Sequence, residues 1–275
     1  PEEKKIIKVG ICNEIFQTWD IEKIIAFISE LGYDGLEIAP FTIADSVDEI
    51  SKSARERIKQ LSRKNNIEII GTHWLFIKPE GLSIFSANKD IRKKTSLYFE
   101  KLVGFTSDIG GKIMVFGSPK QRYIDKDIPQ TQVMEYFFEF IKDPLEVARE
   151  KNITICLEPL AKRETNFVNS VTDAISIIET LNHPNLKLIL DVKAMSDEKR
   201  PYPEIIYEGR KHLCHFHAND ENLLGPGFGK IDFAPIISAL KDIHYNGYLS
   251  VEVFNFAPGP EEIAKKSIEY LKKFL

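Results

Sequence analysis

Cysteine is scarce in this chain of 275 residues, and Cys12, Cys156 and Cys214 are odd in number and far apart. That pattern excludes a disulfide framework and points to a reducing cytoplasm. Basic residues do not dominate: 37 Lys and Arg stand against 41 Asp and Glu. No positive field exists to attract nucleic-acid phosphates. No apolar run approaches the ~20 residues of a membrane span, so no membrane partner is expected. Pro1 to Lys5 are largely charged and lead straight into a strand-like segment, without the apolar stretch of a secretory leader. Glycine motifs are missing where nucleotide binding would need them. Asn13 to Trp19, after the first strand-like run, contain none, and Gly225 to Lys230 has phosphate-loop glycines at the wrong spacing, followed by Ile231 instead of Ser or Thr. There is no Gly-x-Ser-x-Gly elbow and no metal-binding cysteine pair.

What the sequence does have is alternation. Short β-branched runs at 6–12, 34–38, 67–72, 112–116, 153–158, 186–191, 213–218 and 248–253 read as strands. Amphipathic stretches at 20–31, 47–66, 90–109, 130–151, 171–181, 233–243 and 260–274 read as helices, with a shorter one at 201–210. Asp20, Ser46, Ser170 and Asp232 are placed to cap helix starts, and Gly32, Gly110 and Gly247 to end helices. Strands such as 186–190 are apolar throughout, as burial on both faces requires. Eight repeats over 275 residues match the ~250 residues of a single (β/α)8 TIM barrel, the fold class expected over 1–275. An open doubly wound sheet would have fewer strands and a glycine-rich first turn.

Chemistry in such barrels collects at the C-terminal strand ends. There the last four strands carry Glu158, Asp191, His217 and Glu252. Adjacent strands lie ~4.8 Å apart on a curved wall, so these side chains can converge. Three carboxylates together repel unless neutralised, and a divalent cation is the simplest neutraliser. Three oxygens and one imidazole suit Mn²⁺ first, with Mg²⁺, Co²⁺ or Zn²⁺ as alternatives. Each residue alone has a plainer reading, as an ion-pair partner or a hydrogen-bonded core histidine. Four on consecutive strands, without comparably spaced cations on those strands, favour a metal.

The stretches Leu157 to Phe167, Leu190-Asp191, His215 to Asp220, Gly225 to Phe233 and Val251 to Phe254 resemble the xylose isomerase-like barrel superfamily, in its ketose 3-epimerase and sugar isomerase/epimerase branch. The resemblance implies that Glu158, Asp191, His217 and Glu252 are the metal ligands and that Glu158 and Glu252 are the acid/base pair. It also implies a substrate-side or orienting role for Glu164, a small sugar or sugar derivative as substrate, and homo-oligomers. Two positions depart from the pattern: Ala194 stands where a substrate-binding His is common, and Leu223 where an Arg occurs.

The expected reaction is proton transfer beside a carbonyl through a metal-stabilised enediolate. Glu158 and Glu252, on opposite faces of the planar species, would remove and return the proton, giving epimerisation or, at the neighbouring carbon, isomerisation. Glu37 and His73 either contact a sugar hydroxyl or complete a structural network. Trp74, Phe41, Phe228 and Phe254 either wall the pocket or pack its rim. Lys120 and Arg122 read as loop charges, solvated or facing an anionic substituent. Cys156 and Cys214 read as core residues that alternate with the site residues and face away from them, and His215 as support for His217 one layer deeper. A metal-dependent dehydratase of a cyclic polyol or keto-acid is the main alternative. A repair hydrolase of the endonuclease IV kind needs several metals and more than the six histidines present.

Overall fold

In a computed structural model that describes residues 7–275, the strands β1 (Lys8–Cys12), β2 (Gly35–Ile38), β3 (Glu68–Thr72), β4 (Ile113–Phe116), β5 (Thr154–Leu157), β6 (Leu186–Asp191), β7 (Leu213–Ala218) and β8 (Tyr248–Val251) lie side by side in sequence order, each paired with the next. All neighbours are parallel, and β8 returns to β1 to close the barrel. The crossover helices are α1 (Ile21–Leu31), α2 (Lys52–Lys64), α3 (Lys89–Asp108), α4 (Gln130–Lys151) and α5 (Val171–Leu181). They continue with α6 (Val192–Ser196), α7 (Tyr202–Gly209), α8 (Phe233–Asp242) and α9 (Pro260–Leu271). The expected (β/α)8 architecture is therefore observed. Residue 6 of the expected first strand lies outside the described residues. Among them, no helix is long and apolar enough to cross a membrane.

Alternation along the strands divides the apolar residues into two layers. Leu188 and Leu190 join the large core between strands and helices. Val115, Cys156 and Ile189 form, with Ile70 and Ile113, a smaller cluster that fills the barrel interior. Cys156 is two residues before Glu158 and therefore shares its face, so it lies beneath the site instead of pointing away from it. Pairing shifts from Leu188↔Leu213 to Ile189↔His215. The extra residue, Cys214, packs against the interior cluster beside Cys156. That bulge sets the register of His215 and His217 opposite Ile189 and Asp191.

Local signals decide the helix ends. Asp20, Ser170 and Asp232 accept from the backbone N–H of Lys23, Asp173 and Ala234, as expected of N-caps. Ser46 instead caps a single 3-10 turn, Val47–Glu49, and α2 starts only after Ser51, which accepts from Ala54 N. Extended backbone at Ile50 separates the two. Gly32 and Gly110 take the left-handed conformation after α1 and α3, but after α8 that position belongs to His244, at φ 56°. Gly247 serves packing: a Cβ there would sit 2.5 Å from the Tyr245 hydroxyl.

Candidate metal and acid–base site

Glu158 and Glu252 are the first residues past β5 and β8. Their N–H groups still donate to Phe116 O and Ala218 O, so the strand geometry carries both side chains onto the rim. Asp191 ends β6, and His217 is the penultimate residue of β7. Glu158, Asp191, His217 and Glu252 are all buried, and each offers a ligand atom within 4.8 Å of the other three. His217 Nδ1 lies 3.1 Å from Glu252 Oε2 and 3.9 Å from Glu158 Oε1. Neither Nδ1 nor Glu252 Oε2 has a hydrogen-bond partner of suitable geometry. Buried polar atoms are normally satisfied, so two orphans aimed at one point fit a cation between them. The donor set of three carboxylates and one imidazole suits a divalent ion.

The electrostatics agree. Burial, with the charges of Glu252 and Asp191, pushes the Glu158 carboxyl up to about 8. Burial and Glu252 push Asp191 up to about 6. Burial opposes ionisation of Glu252 as well, yet His217 outweighs it and brings that carboxyl down to about 2. Two carboxyl groups in one pocket are thus driven apart, the arrangement that separates an acid from a base.

Beneath the cluster lies a polar support. Glu37, fully buried on β2, meets His215 Nε2 at 2.5 Å and His217 Nε2 at 3.1 Å. Burial works against its charge, but His215 and His217 hold Glu37 well below the usual carboxylate range. An ionised carboxylate only accepts, so Nε2 of His217 must donate. In the metal-free protein burial works against the His217 charge, but Glu252 and Glu37 outweigh it and favour the protonated ring. A cation would displace the Nδ1 proton, and with Nε2 bound to Glu37, Nδ1 is the nitrogen left to serve as ligand. Asp191 is held on both oxygens, by Ala194 N at 2.8 Å and Asn219 Nδ2 at 2.6 Å. Trp74 Nε1 donates to Glu252 Oε1 at 2.7 Å. The indole is stacked between Phe41 and Phe254, with centroids 6.0 and 5.7 Å away. Its backbone sits at φ 48°, a strained conformation for a bulky residue, as functional sites often show.

A cavity of about 510 Å³ opens over the cluster, lined by Glu158, Glu252, Trp74, Glu164, Lys193 and Phe254 among others. Of the expected substrate contacts, Glu164 and Trp74 are on its wall; Glu37 and His73 are not. His73 is fully buried and meets Glu14 at 2.5 Å. Phe228 packs under Lys266 away from the cavity. Lys120 is exposed at the mouth, but Arg122 is no loop charge: its fully buried guanidinium donates to the carbonyls of Phe116, Glu158 and Val168. It fastens the backbone of Glu158 in place.

Sequence reading missed Glu14, Asn219 and Lys193. Glu14 is the second residue past β1, in the 3-10 turn Asn13–Phe16, so attention to the residues just beyond each strand end would have flagged it. Lys193 lies two residues beyond Asp191, past the end of its strand. Gly117 was also overlooked. A Cβ there would stand 2.3 Å from Glu158 Oε2. Gly117→Ala is expected to displace that carboxylate and cut activity at least about 10-fold. Thermal unfolding of the variant, measured beside turnover, should show the fold intact.

The chain matches the family model described as "Xylose isomerase-like TIM barrel" over residues 25–274. It is 27% identical over 244 residues to a D-psicose 3-epimerase from Ruminiclostridium cellulolyticum, covering 86% of this chain and 80% of the relative. It is 23% identical over 276 residues to the 3-dehydro-D-guloside 4-epimerase of Escherichia coli, covering 97% and 99%. A crystal structure of D-psicose 3-epimerase with D-tagatose from Clostridium cellulolyticum shares the fold at a TM-score of 0.83 and 22% identity, covering 98% of this chain and 99% of that one.

Proposed function

This chain belongs to the xylose isomerase-like TIM barrel family, and from that premise we propose that it is a divalent-metal-dependent sugar epimerase acting on a ketose. The observation that carries the reading is the convergence of Glu158, Asp191, His217 and Glu252, of which Glu158 and Glu252 line the cavity. The names of its relatives, which are epimerases of ketoses and keto-sugars, support the same reaction class. Mn²⁺ is the favoured ion among Mn²⁺, Mg²⁺, Co²⁺ and Zn²⁺.

A divalent ion held by these residues would supply positive charge beside a substrate carbonyl and so acidify the C–H bond of the neighbouring carbon. Glu158 and Glu252 stand on separate strands on either side of His217. One carboxylate takes the proton from the carbon, which becomes planar, and the other, protonated, delivers a proton to the opposite face. The configuration inverts and no redox cofactor is consumed. Glu158, Asp191, His217 and Glu252 would hold the ion, Glu37 and His215 orient His217, and Trp74 keeps Glu252 aimed into the cavity.

The test is to incubate Mn²⁺-loaded protein with a panel of ketoses in deuterium oxide. Deuterium at one carbon adjacent to the carbonyl, together with an epimer, is the expected result. Loss of water without an epimer would shift the assignment to a dehydratase, and unlabelled ketose throughout would overturn it.

A further inference from the structure

The cavity wall carries one buried ammonium that the acid–base chemistry leaves unused. Lys193, the second residue of α6, has a side chain only 3% exposed. Its Nζ donates to Glu164 Oε1 at 2.7 Å and rests 3.9 Å from the centroid of Phe254. An ammonium has three donors. The carboxylate takes one and the ring face accommodates another, which leaves an N–H for the cavity that Lys193 lines. Opposite it, Glu164 Oε2 is buried with no hydrogen-bond partner. A free donor and a free acceptor therefore sit side by side on one wall. Ala194 and Leu223, where the family pattern would place substrate contacts, offer no hydrogen-bonding side chain.

Resting on the sugar-epimerase reading above, we propose that Lys193 and Glu164 clamp two adjacent hydroxyl groups of the substrate, Lys193 donating to one oxygen and Glu164 accepting from the next. The clamp selects an uncharged polyhydroxy ketone. The charge of Lys193 is already balanced by Glu164, so a phosphate group would meet no uncompensated buried cation on this wall.

The experiment uses Mn²⁺-loaded full chain and the free 2-ketohexoses, with calorimetric binding and deuterium exchange read on the same samples. Lys193→Met is expected to weaken binding of the preferred ketohexose about 10- to 100-fold, the range for a lost charge-assisted hydrogen bond. Glu164→Gln should weaken it about 10-fold, while Lys193→Arg, which keeps the charge, should recover part of the loss. A deoxy analogue lacking the clamped hydroxyl should bind wild type poorly, yet lose less than about twofold more in Lys193→Met. If Lys193→Met fails to fold, Glu164→Gln and the deoxy analogue decide the matter. Binding within about twofold of wild type in both Lys193→Met and Glu164→Gln, or an undiminished deoxy penalty, would overturn the clamp. Unchanged binding with exchange present leaves the epimerase standing without the clamp. Binding that depends on Lys193 without any exchange leaves the clamp standing without the epimerase. A wild type that binds no ketohexose removes both.

Discussion

Glu252→Gln is expected to lower turnover by about 10²- to 10⁴-fold at saturating metal, the contribution of a positioned general acid or base. Glutamine preserves the volume and can still accept the Trp74 N–H, so the change falls on the proposed proton transfer and on one proposed metal ligand. Metal affinity will drop as well, which is why the comparison is made with the site filled. Stability of the metal-free protein should fall somewhat, because His217 outweighs burial and holds ionised Glu252 down at about 2, although loss of the charge also relieves its repulsion of Glu158 and Asp191. Deuterium exchange separates this account from a purely structural one. A residue that only held the rim together would alter unfolding and spare exchange in the protein that stays folded; Glu252→Gln should suppress exchange in folded protein.

Adding Mn²⁺ to metal-free protein is expected to raise the unfolding temperature by roughly 5–10 °C when the ion is at about 100 times its dissociation constant. At one fixed Mn²⁺ concentration the rise should be larger at pH 8 than at pH 6. In the metal-free chain Glu158 is raised from 4.5 to about 8, by burial first and then by Glu252 and Asp191. The folded state therefore holds a proton that the unfolded chain releases. This contribution to stability is fully present below pH 4.5 and is lost as pH rises towards about 8. Asp191, raised from 3.8 to about 6, acts with the same sign in a lower window. Glu252, lowered from 4.5 to about 2, acts oppositely, and its contribution disappears only as pH falls below 4.5. Between pH 6 and 8 the metal-free protein is thus expected to weaken, while a cation that replaces the proton on Glu158 removes the penalty. Scanning calorimetry with and without Mn²⁺ across this range checks both the sign and the size.

The barrel was legible because its determinants are local and repeated: apolar strands of period two, helix caps and regular spacing. The four rim residues were legible for a related reason, since a polar residue at the end of an apolar strand has no role in the core. Other features depend on long-range geometry. Whether Glu37 points into the cavity or down the barrel depends on closure of β1 through β8, which brings His215 and His217 within reach of a residue 178 and 180 positions earlier. Arg122 looks solvated in sequence because the carbonyls it binds come from three separate segments. Lys193 was hidden because α6 begins at once after Asp191, which caps it, and turns the lysine back onto the wall. Ser46 and Ser51 are five residues apart in a polar stretch, and only the extended backbone at Ile50 decides which of them starts α2.

The most direct measurement is anomalous diffraction from crystals of the protein soaked in Mn²⁺. A single peak is expected between Glu158, Asp191, His217 and Glu252, at about 2.0–2.3 Å from one atom of each. Within the described residues Cys12, Glu14 and His73, and likewise Cys12, Glu37 and His217, also bring ligand atoms together. A peak at either of those groups, or no peak on the rim at all, would contradict the account.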